Sequence, residues 1–98
     1  MKQPISEIIA QRIETLGGRY WAGDNISEFI HTGEKEELID ELTNKFESVL
    51  DSLIIDRQTD PNSMDTGRRL AKMYINELMQ GRYDPKPNAT AFLTTQTK

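Results

Sequence analysis

Two arginines, Arg68 and Arg69, stand side by side in the stretch "MDTGRRLAKMYINELMQGRYDPKP", Met64 to Pro87, with Lys72 one turn further on. Guanidinium groups present paired, parallel N–H donors, so the chemistry this pair offers is recognition of an oxyanion such as phosphate. Leu70, Met73, Tyr74 and Leu78 recur at helical spacing, which predicts a helix over 66–80, stopped by Gly81 as a left-handed cap. Asp65 or Thr66 is placed to cap its start. Both arginines then fall in the first turn, where the helix dipole favours negative charge. Their partner is either an anion held at the free backbone N–H groups of the helix start, or the acidic faces of the helices that precede them.

Those preceding helices are written plainly. Ile5, Ile8, Ile9, Ile13 and Leu16 predict a first helix over 4–16, with Pro4 in its opening turn and Gly17-Gly18 as its stop. The connector "RYWAGDN" is expected to fold Tyr20 and Trp21 back onto the core. Thr32-Gly33 opens the strongest periodic segment, with Leu38, Ile39, Leu42, Phe46, Val49, Leu50 and Leu53 on one face and seven acidic residues between Glu34 and Asp51 available to the other. A helix over 33–53 is about 30 Å long. The loop "DRQTDPNSMD" separates it from the basic segment. Pro85 and Pro87 enforce an extended exit into a tail over 82–98, whose Thr90 to Thr94 has the composition of a strand. "ISEII" at Ile5 is echoed by "ISEFI" at Ile26, but the segments diverge at once and do not make a repeat. The expected fold class is therefore all-α or mainly α: a single unit of three helices with connecting loops and a short extended C-terminal tail.

Composition narrows the function classes. The chain has 98 residues, no cysteine and one histidine, His31, so it has neither a disulfide framework nor a thiolate ligand for a metal. No apolar run exceeds the length of Leu53 to Ile55, and the N-terminus lacks the layout of a signal peptide, so the expectation is a soluble, cytoplasmic protein. Residues 1–66 carry 6 basic and 14 acidic side chains, and residues 67–98 carry 6 basic and 2 acidic ones. The halves thus hold −8 and +4, which fits pairing between them or a local anion site. A net charge of −4 disfavours nucleic acid as a partner, although Arg68, Arg69 and Lys72 together could face a phosphate backbone.

"DTGRRLAKMYINELMQGRY", followed by "DPKP", resembles the segment of GTP cyclohydrolase I that reads Thr-Pro-x-Arg, an apolar residue, Ala-Lys-Met-Tyr and then Gly. The upstream "DNISEFI" and "VLDSLIID" are similar to the phage and proteobacterial branch of that family, and the resemblance runs from about Asn25 to Phe92. It implies that Arg69 helps hold the triphosphate of GTP and that Thr66 is the helix cap. Gly67 stands where the family has proline. Lys72 and Tyr74 also match the motif, as a solvated lysine and a packed tyrosine. The family binds catalytic zinc through two cysteines and a histidine on a following sheet-rich half, and its sites form between subunits of a ring. This chain stops where that sheet would begin and has no cysteine, so it offers no metal ligands or catalytic residues of its own, and His31 reads as a helix-entry residue.

The expectation is the N-terminal helical part of GTP cyclohydrolase I, which converts GTP to 7,8-dihydroneopterin triphosphate and formate. As a 98-residue chain it is catalytically incomplete, with zinc expected only in the complete enzyme. The alternative is a stand-alone helical interaction protein that binds another protein, such as full-length cyclohydrolase subunits, or forms a homo-oligomer.

Overall fold

A computed structural model of the chain describes residues 3–85, and these form a mainly helical unit with no strand among them. The first helix, α1 (Ile5–Thr15), starts at Pro4, whose carbonyl accepts from the N–H groups of Glu7 and Ile8. Every fourth residue of α1, Ile5, Ile9 and Ile13, is buried. Gly17 ends the helix at φ +74°, with its own N–H on Glu14 O and that of Gly18 on Ile13 O. That pair of bonds is the Schellman arrangement, which needs a left-handed residue at this position. Leu16, expected in the apolar face, instead lies just beyond the last turn and is exposed.

The connector after α1 does not tuck its aromatics inward. Trp21 is 68 % exposed, with the Arg19 guanidinium 4.0 Å from its ring centroid. Tyr20 is also exposed and donates its hydroxyl proton to Glu14. The loop is held from outside: Asp24 accepts two bonds from Arg19 and one from the Trp21 N–H, while Arg82 donates to the carbonyls of Tyr20, Trp21 and Asp24. A turn of 3-10 helix (Ser27–Phe29) follows, the piece that the "ISEFI" echo makes, and it sets Ile26 into the core.

The second helix, α2 (Glu34–Ser52), begins at Gly33, which adopts φ +87°. Leu38 and Ile39 meet the isoleucines of α1, Ile26, and Ala71 and Ile75 from the last third of the chain; this is the main core. The apolar face predicted for α2 fades toward its C-terminal end. Leu50 is buried, but Val49 is 53 % and Leu53 is 63 % exposed, because nothing among the described residues covers that side. Two polar ties fix α1 on α2. Ser6 donates its N–H and its hydroxyl to Glu41, and Arg12 forms a bidentate pair with Glu34 at 2.7 and 3.0 Å while also donating to Phe29 O.

The single helix expected over 66–80 is three pieces. The third helix, α3 (Thr66–Met73), passes into a π-helical turn (Tyr74–Leu78), and a short α4 (Gln80–Tyr83) follows. The π turn adds one residue to the repeat, with Met79 N–H bonding Tyr74 O five residues back. Before it, the inward line is Gly67, Ala71 and Ile75, all buried, rather than the expected one: Tyr74 is 38 % exposed, and Leu70 and Met73 are half-buried. After it, the inward face is shifted by one residue, so that Tyr83 packs on the core while Leu78, expected inside, is 61 % exposed. Gly81 is not a left-handed cap, since it lies within α4 and does not adopt positive φ. The predicted tail over 82–98 is likewise corrected at its start: Arg82 and Tyr83 are helical and Asp84 is extended. Pro87 and Thr90 to Thr94 lie outside the described residues.

The end of α2 carries the clearest local conflict. Ile54 N–H bonds Asp51 O and Ile55 N–H bonds Leu50 O, the same Schellman arrangement as at α1. The left-handed position is filled by Ile54 at φ +65°, where glycine is the usual occupant, and its side chain is 93 % exposed. A β-branched residue held there costs about 1–2 kcal/mol, with no burial to offset it. Ile54→Gly is therefore expected to stabilise the fold by about 1 kcal/mol, read as a rise in thermal midpoint of about 4–8 °C. An unchanged or lower midpoint contradicts the strain.

The Arg12 guanidinium, bonded to Glu34, lowers that carboxyl from its ordinary value of 4.5 to about 2, aided by the His31 N–H at 2.8 Å. A carboxyl whose folded value lies below its unfolded one contributes stability above the unfolded value and loses it as pH falls through the folded one. Stability should decline between about pH 4.5 and 2. In denaturant titrations over that window, Glu34→Gln should give a flatter acid limb than the native chain; identical limbs would remove Glu34 from this role.

Candidate functional site

The basic segment is positioned by a sequence of tight turns and one close helix contact. Asp56 accepts from the N–H groups of Gln58 and Thr59 and from the Thr59 hydroxyl. Asp60 does the same for Asn62 N–H and the Ser63 hydroxyl. Each is a short side chain standing in for a backbone acceptor, which folds the loop without a core. The chain enters α3 through Asp65. Neither residue named as a cap acts through its side chain: Asp65 occupies the cap position without a capping bond, and Thr66 is the first helical residue, its hydroxyl donating back to Asn62 O at 3.1 Å. The hydroxyl of Thr66 is held by the preceding turn, which removes it from the first N–H groups of α3.

Gly67 explains why α3 can sit where it does. A Cβ on Gly67 would lie 2.7 Å from Glu47 Cγ and 3.2 Å from Thr43 O, so α2 leaves no room for one. Ala71 and Ile75 continue the same line, spaced four residues apart, and both are at most 1 % exposed. The glycine that replaces the proline of the resembling motif is therefore a packing residue. Phe46 of α2 and Tyr74 stack at 5.3 Å between centroids along one edge of this seam.

With the seam fixed, the two arginines separate. Arg68 lies beside α2 and its Nη1 donates to Asp40 Oδ1 at 3.0 Å, the pairing with an acidic helix face that the charge distribution allowed. Arg69 is exposed and bonds only Thr66 Oγ1, at 3.4 Å; among the described residues it makes no ion pair. Lys72, one turn on, is exposed as well. The arrangement can therefore offer an oxyanion one guanidinium and the start of a helix.

His31 is exposed, with Glu34 Oε2 4.0 Å from its Nδ1, and that carboxylate is already committed to Arg12. Among the described residues no three His, Cys, Asp or Glu side chains converge. A cysteine-and-histidine zinc set cannot be built from a sequence with one histidine and no cysteine. A separate cavity of about 190 Å³ lies between α1 and α4, lined mainly by Ile9, Ile13, Ile26, Leu38 and Tyr83, with Arg82 at its wall. Among the described residues no helix is long and apolar enough to cross a membrane.

What sequence reasoning missed is the packing role of Gly67, the choice of Asp40 as the partner of Arg68, and the carbonyl contacts of Arg82. A small residue four positions before Ala71 and eight before Ile75 is a readable signal for close helix packing; nothing local singles out Asp40 or the three carbonyls that Arg82 binds. The class defined by this fold and site is a small helical unit with a surface-displayed arginine. Comparison with protein-family models, curated proteins and solved structures finds no match.

Gly67→Ala is expected to destabilise the chain by about 1–3 kcal/mol, because the added methyl must push α2 away. Urea titration reads this directly. A value within 0.5 kcal/mol of zero, roughly that of a neutral surface change, would mean that the helices are further apart than stated.

Proposed function

We propose that this chain is the N-terminal helical part of GTP cyclohydrolase I and that Arg69 contacts the triphosphate of GTP. The observation that carries the reading is the division between neighbouring arginines. Arg68 is engaged by Asp40, while Arg69, the residue that matches the family motif, stands exposed at the helix start with no carboxylate partner among the described residues. A guanidinium is suited to phosphate because its donors match two oxygens at once, and the positive end of the α3 dipole adds to the attraction. Thr66 supports Arg69 through its hydroxyl rather than capping the helix. Formation of dihydroneopterin triphosphate and formate would belong to the complete enzyme in the cytoplasm. Its zinc and proton-moving groups have no counterpart in this chain, and cyclohydrolase subunits would be the partners.

A second reading, a helical module that acts by binding another protein, is favoured by the exposed apolar side chains Val49, Leu53, Ile54 and Leu78. Both readings can be examined by titrating the full chain with GTP and with inorganic triphosphate in a calorimeter. The expected result is salt-sensitive binding that weakens about tenfold in Arg69→Ala and stays nearly unchanged in Arg68→Ala, the size of one lost charge-assisted contact. Equal losses in the two variants would remove Arg69 from its role. Absence of any triphosphate binding would favour the interaction module, and turnover of GTP with zinc added would overturn the account of an incomplete catalyst.

A further inference from the structure

Polar bonds, with almost no burial, hold α4 in place. None of its four residues is buried: Gln80 and Gly81 are exposed, Arg82 and Tyr83 are half-buried, and Tyr83 alone packs on the core. Facing it is the connector, whose residues 16–23 are exposed throughout. Arg82 joins the two by donating to Tyr20 O, Trp21 O and Asp24 O at 3.2, 2.5 and 3.1 Å, and its own carbonyl accepts the Ile26 N–H at 2.7 Å. Asn25 donates to Gly81 O and Asp84 O at 2.9 and 2.7 Å, and Lys35 pairs with Asp84. A segment tied down by water-accessible bonds, with few apolar contacts, opens at a lower free energy than the core it lies on.

Two further features give such an opening a path and a consequence. Met79, between the π turn and α4, leaves helical backbone at φ −119° and ψ 31°, and a break of this kind at the end of an element absorbs a change of angle. Beneath α4 lies the cavity of about 190 Å³, with Arg82 and Tyr83 on one side and Ile9, Ile13, Ile26 and Leu38 on the other, each of those four at most 8 % exposed. We propose that α4 is a strap that opens as a unit while α1 and α2 stay folded, with Arg82 as its latch, so that it controls access to this cavity. Arg82 suits the latch because its planar fork reaches three carbonyls at once, a geometry that a lysine ammonium does not reproduce. The strap uses no residue from the first turn of α3 and is independent of the reading of Arg69.

Native-state hydrogen exchange on the full chain tests this. The reporter is the Ile26 N–H, whose acceptor belongs to α4, and the reference is the N–H of Ile39 within α2. Ile26 should exchange about tenfold faster or more, after correction for intrinsic rates, and with a shallower denaturant dependence, because opening the strap exposes little surface. Arg82→Lys removes bonds lost in the first step and should speed both amides by about tenfold. Ile5→Val weakens the core, which is intact whether the strap is open or closed, so it should speed Ile39 by about fivefold and leave Ile26 unchanged. Equal rates and slopes for the two amides, or an Ile26 rate that follows Ile5→Val, would mean that α4 opens only with the whole fold and would overturn the proposal. An Ile26 rate indifferent to Arg82→Lys would remove the latch. The chain has no cysteine, so a thiol reagent on Ile9→Cys reads the cavity alone. That thiol should react faster in combination with Arg82→Lys and at an unchanged rate with Ile5→Val; protection that follows Ile39 instead would show that the strap does not gate the cavity.

Discussion

The close approach of α3 to α2 at Gly67 is the constraint on which the basic segment depends. A helix surface normally keeps its neighbour 8–10 Å away at the axes, and a glycine at the crossing point allows the lower end of that range. Because Gly67, Ala71 and Ile75 form the inward line, the residue after Gly67 points along α2 and the one after that points away. Arg68 thus reaches Asp40 and Arg69 reaches solvent. A bulkier seam residue would rotate or lift α3, and the two guanidinium groups would lose their distinct surroundings together.

A chain this short cannot rely on its core alone, since small units bury a smaller share of their surface. The core is nearly all aliphatic and comes from segments far apart in sequence. Polar ties between the same segments do the rest. Arg12 holds Glu34 and Phe29 O, joining α1 to the start of α2. Arg82 gathers three carbonyls of the connector after α1, Asn25 donates to Gly81 O and Asp84 O, and Lys35 pairs with Asp84. These side chains order an exposed connector and tie the ends of the unit to each other. The −8 and +4 halves find their explanation partly here, because Arg68 and Arg82 of the basic half and Lys35 of the acidic half each reach across to the other.

The two long helices end by the same hydrogen-bond pattern with different residues at the left-handed position. At Gly17 the local preference and the fold agree; at Ile54 they conflict. Such agreement across levels is the normal state of a folded sequence, and the exceptions mark places where another demand acts. The exposed end of α2, where Ile54 meets Val49 and Leu53, is where this chain departs furthest from what folding alone would select.

The sequence by itself determined the helical class, the extents of α1 and α2, the Gly17 stop and the exposure of Lys72, because each follows from local periodicity or from one residue's backbone preference. It also located the paired arginines at a helix start. Tertiary structure decided what local signals cannot encode. The π turn displaced the expected Leu78 with Tyr83 on the core side, since a one-residue insertion depends on what the helix must reach at both ends. Trp21 remained outside because Arg82, distant in sequence, fixed the connector that carries it. The choice of Arg68 over Arg69 as the partner of Asp40 rested on the Gly67 crossing, a contact between residues twenty or more positions apart, whose geometry no spacing rule within one helix contains.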